Sequence, residues 1–287
     1  MNIFDSLVAQ AMHNRSDMVL LQPVVEKELL HHDILREMSS AGLLSGLTFI
    51  GGTCLRMCYG SVRLSEDLDF TGGCDFSAGD LVDLGVVLVE RLQIRYGLRV
   101  EVSEPVRDTG NVSTWKVRVA VRPERKDLPV QLINIDICSV PSHDSRPVVL
   151  RNHYGIELGT AGLILQAQSR EEILADKFIA LAFRPNRIKY RDLWDIFWLK
   201  QNGVDLPLTL LTRKLEDRDK SSAEFLQLLN ERSAGLLHDA ANKKGFLFEM
   251  RRFLPAGALR QVEDPAFWTV LMDMLSFDVE RIKGGPL

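Results

Sequence analysis

The spacing of hydrophobic and polar residues changes near residue 147. Before it, runs of alternating apolar residues predict β-strands, of which 130–140 is the most regular. Beyond it, apolar residues recur at helical spacing, and the strongest predicted helix covers 169–183. We therefore expect one domain of strands and helices at residues 1–150 and a helical domain at 151–287.

A glycine pair follows the first predicted strand. The apolar run 48–50 breaks at Gly51 and Gly52, and the next residue, Thr53, is suited to the start of a helix. Such a turn presents backbone N–H groups to a phosphate. We expect these three residues to bind the phosphates of a nucleotide, and the hydroxyl of Ser65 to assist them.

Two acidic residues lie on the next predicted strand, 65–70. Because side chains alternate along a strand, Asp67 and Asp69 project from one face. Neighbouring carboxylates repel each other, and a divalent cation removes that repulsion. Hard oxygen ligands suit Mg²⁺, with Mn²⁺ as the alternative.

A third acid, Asp136, interrupts the apolar strand 130–140. Ile133, Ile135 and Ile137 point to one face, and Asp136 points to the other. A carboxylate within such a strand needs a cation or hydrogen-bond donors. We expect Asp136 to complete a metal site with Asp67 and Asp69, the alternative being a hydrogen bond to neighbouring backbone.

A lysine lies among apolar residues on the helix predicted at 169–183. Lys177 needs an anionic partner there. Lys177 could contact the triphosphate of a nucleotide, or it could form a salt bridge between the two lobes with either Asp192 or Asp195. The two roles are compatible.

Carboxylates that hold two metal ions about 4 Å apart beside bound phosphates suit nucleotidyl transfer, because the ions activate a hydroxyl and neutralise the leaving pyrophosphate.

Four segments also carry a resemblance to a known family, in that family's order. They are GGTCLR at 51–56 with YG at 59–60, RLSEDLDF at 63–70, EEILADKFIAL at 171–181 with Arg184, and YRDLWDI at 190–196. Together they resemble the AbiEii/AbiGii (MenT-like) nucleotidyltransferase toxins, within the superfamily that includes DNA polymerase beta. The resemblance implies an α+β fold of two lobes. An N-terminal nucleotidyltransferase lobe has a mixed β-sheet flanked by helices, a C-terminal lobe is helical, and the substrate is expected in the cleft between them.

The resemblance also implies roles for individual residues. Asp67 and Asp69 match the metal-binding pair, and Lys177 matches the motif lysine. The acid of the last motif matches Asp192 or Asp195, and the choice stays open. Arg56, in the first motif, is implied to bind the nucleotide. That motif often has Gly-Ser, whereas this chain has Gly-Gly-Thr, so Thr53 would supply any hydroxyl.

Members of the family act as toxins of type IV toxin–antitoxin or abortive phage-infection systems, and each is encoded beside an antitoxin. Some transfer nucleotides from an NTP to the acceptor end of tRNA, which blocks translation. The resemblance therefore implies an NTP substrate and a tRNA acceptor. Alternatives are a protein nucleotidylyltransferase that attaches AMP or UMP, and a catalytically silent protein that binds an antitoxin. The preferred NTP, the acceptor and the oligomeric state stay open.

The composition and charge of the chain exclude few of these functions. The net charge of −4 and the isoelectric point near 5.9 argue against a protein that coats nucleic acid, but they permit a local basic surface. The chain shows no basic leader before an apolar segment and no apolar run of about 20 residues. Its four cysteines form no Cys-x-x-Cys pair, so we expect reduced thiols and a cytoplasmic protein.

Overall fold

The computed structural model describes residues 2–105, 110–124, 130–185 and 187–285. The chain divides into two compact units, an N-terminal unit, Met1–Gln168, and a C-terminal unit, Ser169–Leu287. The boundary expected after residue 150 precedes this division, because the last strand of the N-terminal unit ends at Gln168.

The N-terminal unit combines helices and strands. Its α-helices are α1 (Ile3–Asn14), α2 (Gln22–Ser40), α3 (Gly51–Met57) and α4 (Leu84–Tyr96), with 3₁₀ helices at Ser16–Leu21 and Ala78–Leu81. Its strands are β1 (Thr48–Ile50), β2 (Leu68–Thr71), β3 (Arg99–Ser103), β4 (Val112–Ala120), β5 (Gln131–Cys138), β6 (Ser145–Val149) and β7 (Ile164–Gln168). The helix expected after residue 77 begins as a 3₁₀ turn and ends at Gly97, whose φ of +65° suits glycine.

The described strands form one mixed sheet in the order β3-β4-β5-β2-β1-β7-β6. Strand β2 runs parallel to β5 and antiparallel to β1, and β1 runs parallel to β7. The remaining neighbours are antiparallel. This arrangement confirms the α+β fold with a mixed sheet, and it places β2 and β5 side by side near the middle.

One face of this sheet is apolar, as the alternation along the strands predicted. Ile133, Ile135 and Ile137 of β5 have no exposed surface, and Leu68 and Phe70 of β2 are at most 1% exposed. Helix α2 contacts β5 and packs against α4. Burial of an Ile, Leu or Phe side chain contributes about 1.5–3 kcal/mol. The apolar residues therefore fix which face of β2 and β5 is left for polar side chains.

The C-terminal unit is helical in the described residues. Its helices are α5 (Arg170–Phe183), α6 (Tyr190–Gln201), α7 (Leu208–Glu216), α8 (Ser222–His238), α9 (Ala240–Met250), α10 (Ala256–Glu263) and α11 (Phe267–Lys283). The start of α5 is the predicted one, because the Ser169 hydroxyl accepts a hydrogen bond from the backbone N–H of Glu172 at 3.0 Å. Within the described part of the chain, each helix is too short or too polar to cross a membrane.

Candidate active site

The glycine pair that begins α3, directly after β1, lies against the side chains of the next motif. Gly51 has a φ of +77°, a conformation that favours glycine. A Cβ atom on Gly51 would lie 2.7 Å from Oδ2 of Asp69. One on Gly52 would meet a guanidinium nitrogen of Arg63. The missing side chains therefore let the backbone approach the Asp69 carboxylate at Gly51 and the Arg63 guanidinium at Gly52.

The two hydroxyls predicted to assist a nucleotide are both buried. Thr53 donates its hydroxyl hydrogen to the carbonyl oxygen of Asp67, which ties α3 to the start of the acidic strand. Ser65 donates its backbone N–H to a carboxylate oxygen of Glu28 at 3.0 Å, and it is 6% exposed. These bonds give both residues a structural role, and their contact with phosphates stays a prediction.

Two of the three acids lie on adjacent strands, and the third, Asp67, precedes one of them. Asp69 of β2 and Asp136 of β5 are register partners on parallel strands, so their side chains project from the same face. Asp67 immediately precedes β2, which begins three residues later than predicted, at Leu68. Its Oδ1 accepts hydrogen bonds from the side-chain amide of Asn134 at 3.1 Å and from the backbone N–H of that residue at 3.4 Å. Oδ1 of Asp136 accepts one from the Thr114 hydroxyl at 2.6 Å. All three acids are partly exposed.

The donor chemistry of Asp69 and Asp136 fits a hard divalent cation such as Mg²⁺. Oδ2 of Asp69 lines the space that a side chain on residue 51 would fill. Among the residues that the structure describes, no group of three or more His, Cys, Asp and Glu side chains is gathered closely enough to hold a metal ion. The register thus brings two carboxylates together, while Oδ1 of Asp67 bonds Asn134. The metal-binding roles stay predictions.

Arg56, another residue predicted to bind the nucleotide, belongs to a buried network. Its guanidinium is 2% exposed, lies 3.1 Å from Oε2 of Glu28 and donates to the carbonyl oxygen of Ser61 at 3.0 Å. The Tyr154 hydroxyl donates to the same carboxylate. Burial alone would raise the pKa of Glu28, but the Arg56 charge and the bonds from Tyr154 and Ser65 hold it below its ordinary value. The network joins α2 to α3, and it lends no support to a nucleotide contact by Arg56.

The cationic and acidic residues of the C-terminal unit form a compact cluster. Nζ of Lys177 on α5 lies 2.7 Å from Oδ1 of Asp192 and 2.7 Å from Oδ2 of Asp195, both on α6. Arg184 lies 2.8 Å from Oδ2 of Asp192. The salt bridge expected between lobes therefore lies within one unit, and Lys177 pairs with both acids rather than one.

This cluster is buried and its charges are matched. Asp195 is 0% exposed and Asp192 is 6% exposed. Burial alone would raise the pKa of Asp192, but the charges of Lys177 and Arg184 outweigh it and hold that pKa below its ordinary value. These ion pairs join α5 to α6, and loss of Lys177 would leave buried carboxylates without an ammonium partner. The catalytic roles of Lys177, Asp192 and Asp195 stay predictions.

Residues that the sequence reasoning did not single out also contribute to the site. Asn134 was visible on the face of Asp136 in the strand pattern, but Asp67 as its partner depends on the pairing of β2 with β5. Thr114 lies opposite Asp136 only in the register of β4 and β5. Glu28 lies one helical turn after Val24 and Val25, on the apolar face of α2. An acid on an apolar helix face is the sequence signal that could have identified it.

Solved structures that are similar to this chain include two bacterial proteins. MenT4, a nucleotidyltransferase toxin from Mycobacterium tuberculosis H37Rv, is 16% identical, with a TM-score of 0.53 over 92% of this chain and 98% of that chain. JHP933 from Helicobacter pylori is 16% identical, with a TM-score of 0.47 over 91% of this chain and 94% of that chain. A comparison with curated proteins found no significant match. At these identities the likeness to MenT4 shows the fold.

The family follows from the sequence itself. The model of a family described as "Nucleotidyl transferase AbiEii toxin, Type IV TA system" matches residues 33–273. The match includes the glycine turn, the acidic strands and the Lys177 cluster. The protein is therefore a nucleotidyltransferase of the toxin class. It belongs to the AbiEii nucleotidyltransferase toxin family.

Proposed function

We propose that this nucleotidyltransferase toxin transfers a nucleoside monophosphate from an NTP to the 3′ end of tRNA in a reaction that depends on Mg²⁺ or Mn²⁺, and so blocks translation. The observation that supports it most is the register of Asp69 with Asp136 beside the turn at Gly51. The acceptor rests on the resemblance to toxins that act on tRNA. The same resemblance implies a cognate antitoxin that opposes the activity.

In this proposal, residues of the N-terminal unit bind the cation and the phosphates of the NTP. Asp69 and Asp136, with Asp67, would hold the cation, which supplies positive charge to the triphosphate and lowers the pKa of the attacking hydroxyl. The backbone at Gly51 and Gly52 would bind the phosphates. These groups orient the substrates for attack in line with the leaving group.

The transfer forms one bond to the α-phosphorus and breaks another. The 3′-hydroxyl oxygen of the acceptor bonds to the α-phosphorus, the bond from that phosphorus to the oxygen of the β-phosphate breaks, and pyrophosphate leaves. The proton of the hydroxyl passes to a carboxylate of the site, and we assign Asp136 this task. Positioning and charge stabilisation carry most of such a reaction.

The test is incubation of the purified protein with total tRNA, Mg²⁺ and each of the four α-labelled NTPs in turn. We expect one or two NTPs to label RNA, and EDTA and Asp69→Asn each to abolish the label. Label that survives RNase and disappears with protease would instead identify a protein acceptor. Toxicity in cells that persists in Asp69→Asn, without label, would favour the catalytically silent protein.

A further inference from the structure

Two uncharged donors contact the acids of the candidate site from neighbouring strands. The hydroxyl of Thr114 on β4 donates to Oδ1 of Asp136 at 2.6 Å. The side-chain amide of Asn134 on β5 donates to Oδ1 of Asp67 at 3.1 Å. Sheet register explains both contacts, since Thr114 pairs with Asp136, and the pair of Leu68 with Ile135 puts Asn134 beside Asp67.

Such donors affect a carboxylate differently from a cation. The terminal torsion of an aspartate is broad, so an unrestrained carboxylate samples many orientations. A hydrogen bond to one oxygen restricts that rotation. Because a hydroxyl or amide carries no charge, it leaves the negative charge of the carboxylate in place. A carboxylate that is both oriented and anionic is what a cation site requires, and metal ligands in proteins are commonly held in this way.

We propose that Thr114 and Asn134 are positioning residues, which hold Asp136 and Asp67 in the orientation that binds the divalent cation. This inference rests on the proposed cation-dependent transfer. It adds two residues, on β4 and β5, that lie outside the acidic motif itself. Neither residue touches the reacting atoms in this account, and each acts through the carboxylate that it contacts.

The first variant removes only the hydroxyl of Thr114. Thr114→Val keeps the branched shape on β4, whereas Thr114→Ser keeps the hydroxyl. Thr71→Val is a matched control, because the Thr71 hydroxyl on β2 donates to backbone carbonyl oxygens of Cys138 and Val140, not to an acid. Binding of Mn²⁺ is measured by electron paramagnetic resonance in the presence of a non-hydrolysable NTP analogue, and thermal unfolding is followed in parallel.

We expect Thr114→Val to raise the Kd for Mn²⁺ about tenfold or more, the range found when such supporting contacts are lost. Thr114→Ser and Thr71→Val should bind Mn²⁺ as the unmodified protein does, although Thr71→Val loses stability. A merely structural role of Thr114 would lower the unfolding temperature and leave the Kd unchanged.

Asn134→Leu gives a second, independent variant of similar size. It should also raise the Kd for Mn²⁺, and the Mg²⁺ concentration needed for half-maximal transfer should rise with it. If Thr114→Val and Asn134→Leu bind Mn²⁺ normally while Asp69→Asn does not, the positioning roles are wrong and the cation site stands. If the unmodified protein binds no Mn²⁺ with the analogue present, the proposed cation dependence fails, and the positioning roles fail with it.

Discussion

The two acidic clusters of this chain differ in the side chains that contact their carboxylates. In the N-terminal unit, described partners of Asp67 and Asp136 are the uncharged side chains of Asn134 and Thr114. In the C-terminal unit, Asp192 and Asp195 are buried against the ammonium group of Lys177. Under the proposed function the first cluster binds a divalent cation, whereas the acids of the second cluster form ion pairs within the protein. Both clusters lie within residues 33–273, which the family model matches, so the family match alone does not distinguish them.

The largest effect is expected on catalysis from the N-terminal cluster. Asp69→Asn should lower nucleotidyl transfer about 10³-fold, because loss of a metal ligand removes several kcal/mol of transition-state stabilisation. The variant should fold normally, since the amide keeps the shape of the side chain. Steady-state labelling of RNA measures the change. Asp75→Asn, at an exposed acid of the same unit, is the control. Equal loss in both variants would contradict the assignment.

The next effect is on stability, from the C-terminal cluster. Lys177→Met should lower the free energy of unfolding by about 3–5 kcal/mol, because it leaves two buried carboxylates without their ammonium partner. Chemical denaturation measures this loss. Lys244→Met on α9, where the lysine is exposed, should change stability by no more than about 0.5 kcal/mol.

Lys177→Arg separates a salt-bridge role of this lysine from a role in NTP binding, because it keeps the charge within the cluster. If Lys177 acts only in the salt bridges, this variant should retain the KM for NTP. A stable variant with a raised KM would show that the lysine also contacts the triphosphate, as the resemblance implies.

A smaller effect is expected at the glycine turn. Gly51→Ala should cost about 1–2 kcal/mol in stability for its positive φ, and it should also lower transfer because the new Cβ meets the Asp69 carboxylate. Gly73→Ala is matched, since Gly73 has a φ of +84° and open space where a Cβ would lie. Similar destabilisation in both variants, with transfer lost only in Gly51→Ala, is the expected result. Normal transfer by Gly51→Ala would remove the turn from the site.

The smallest effect is a pH dependence of stability in the C-terminal cluster. The pKa of Asp192 is lower in the folded protein than in the unfolded chain, so its stabilisation is complete above the unfolded pKa, near 4. It is lost as the pH falls through the folded pKa. Between about pH 5 and pH 3, unfolding free energy should fall more steeply in the unmodified protein than in Asp192→Asn. Asp273→Asn, at an exposed acid of α11, should keep the steep fall.

Local pattern was enough to predict much of the fold. The alternation around Asp136 identified β5 and its buried face, and the helical spacing of apolar residues over 169–183 identified α5. Both features depend on residues within a few positions of each other. Strand β7 was not predicted, because its assignment depends on pairing with β1, far away in sequence.

The candidate site divides in the same way. Asp67 and Asp69 were evident from spacing, whereas Asn134 and Thr114 became partners only through register between strands. Arg56 is the opposite case, because the structure shows a core contact for it that the motif did not indicate. Its place in the motif favoured a nucleotide contact, but Glu28, 28 residues earlier, pairs with its guanidinium in the core. A sequence motif indicates which residues matter, and tertiary contacts decide what each one does.

The most direct test of cation binding by Asp69 and Asp136 is a crystal structure with Mn²⁺ and a non-hydrolysable NTP analogue, recorded at the manganese absorption edge. We expect an anomalous peak within about 2.0–2.3 Å of carboxylate oxygens of Asp69 and Asp136, as hard divalent cations require. Asp192 and Asp195 should keep their contacts with Lys177. An anomalous peak at Asp192 and Asp195, with none at Asp69 and Asp136, would contradict it.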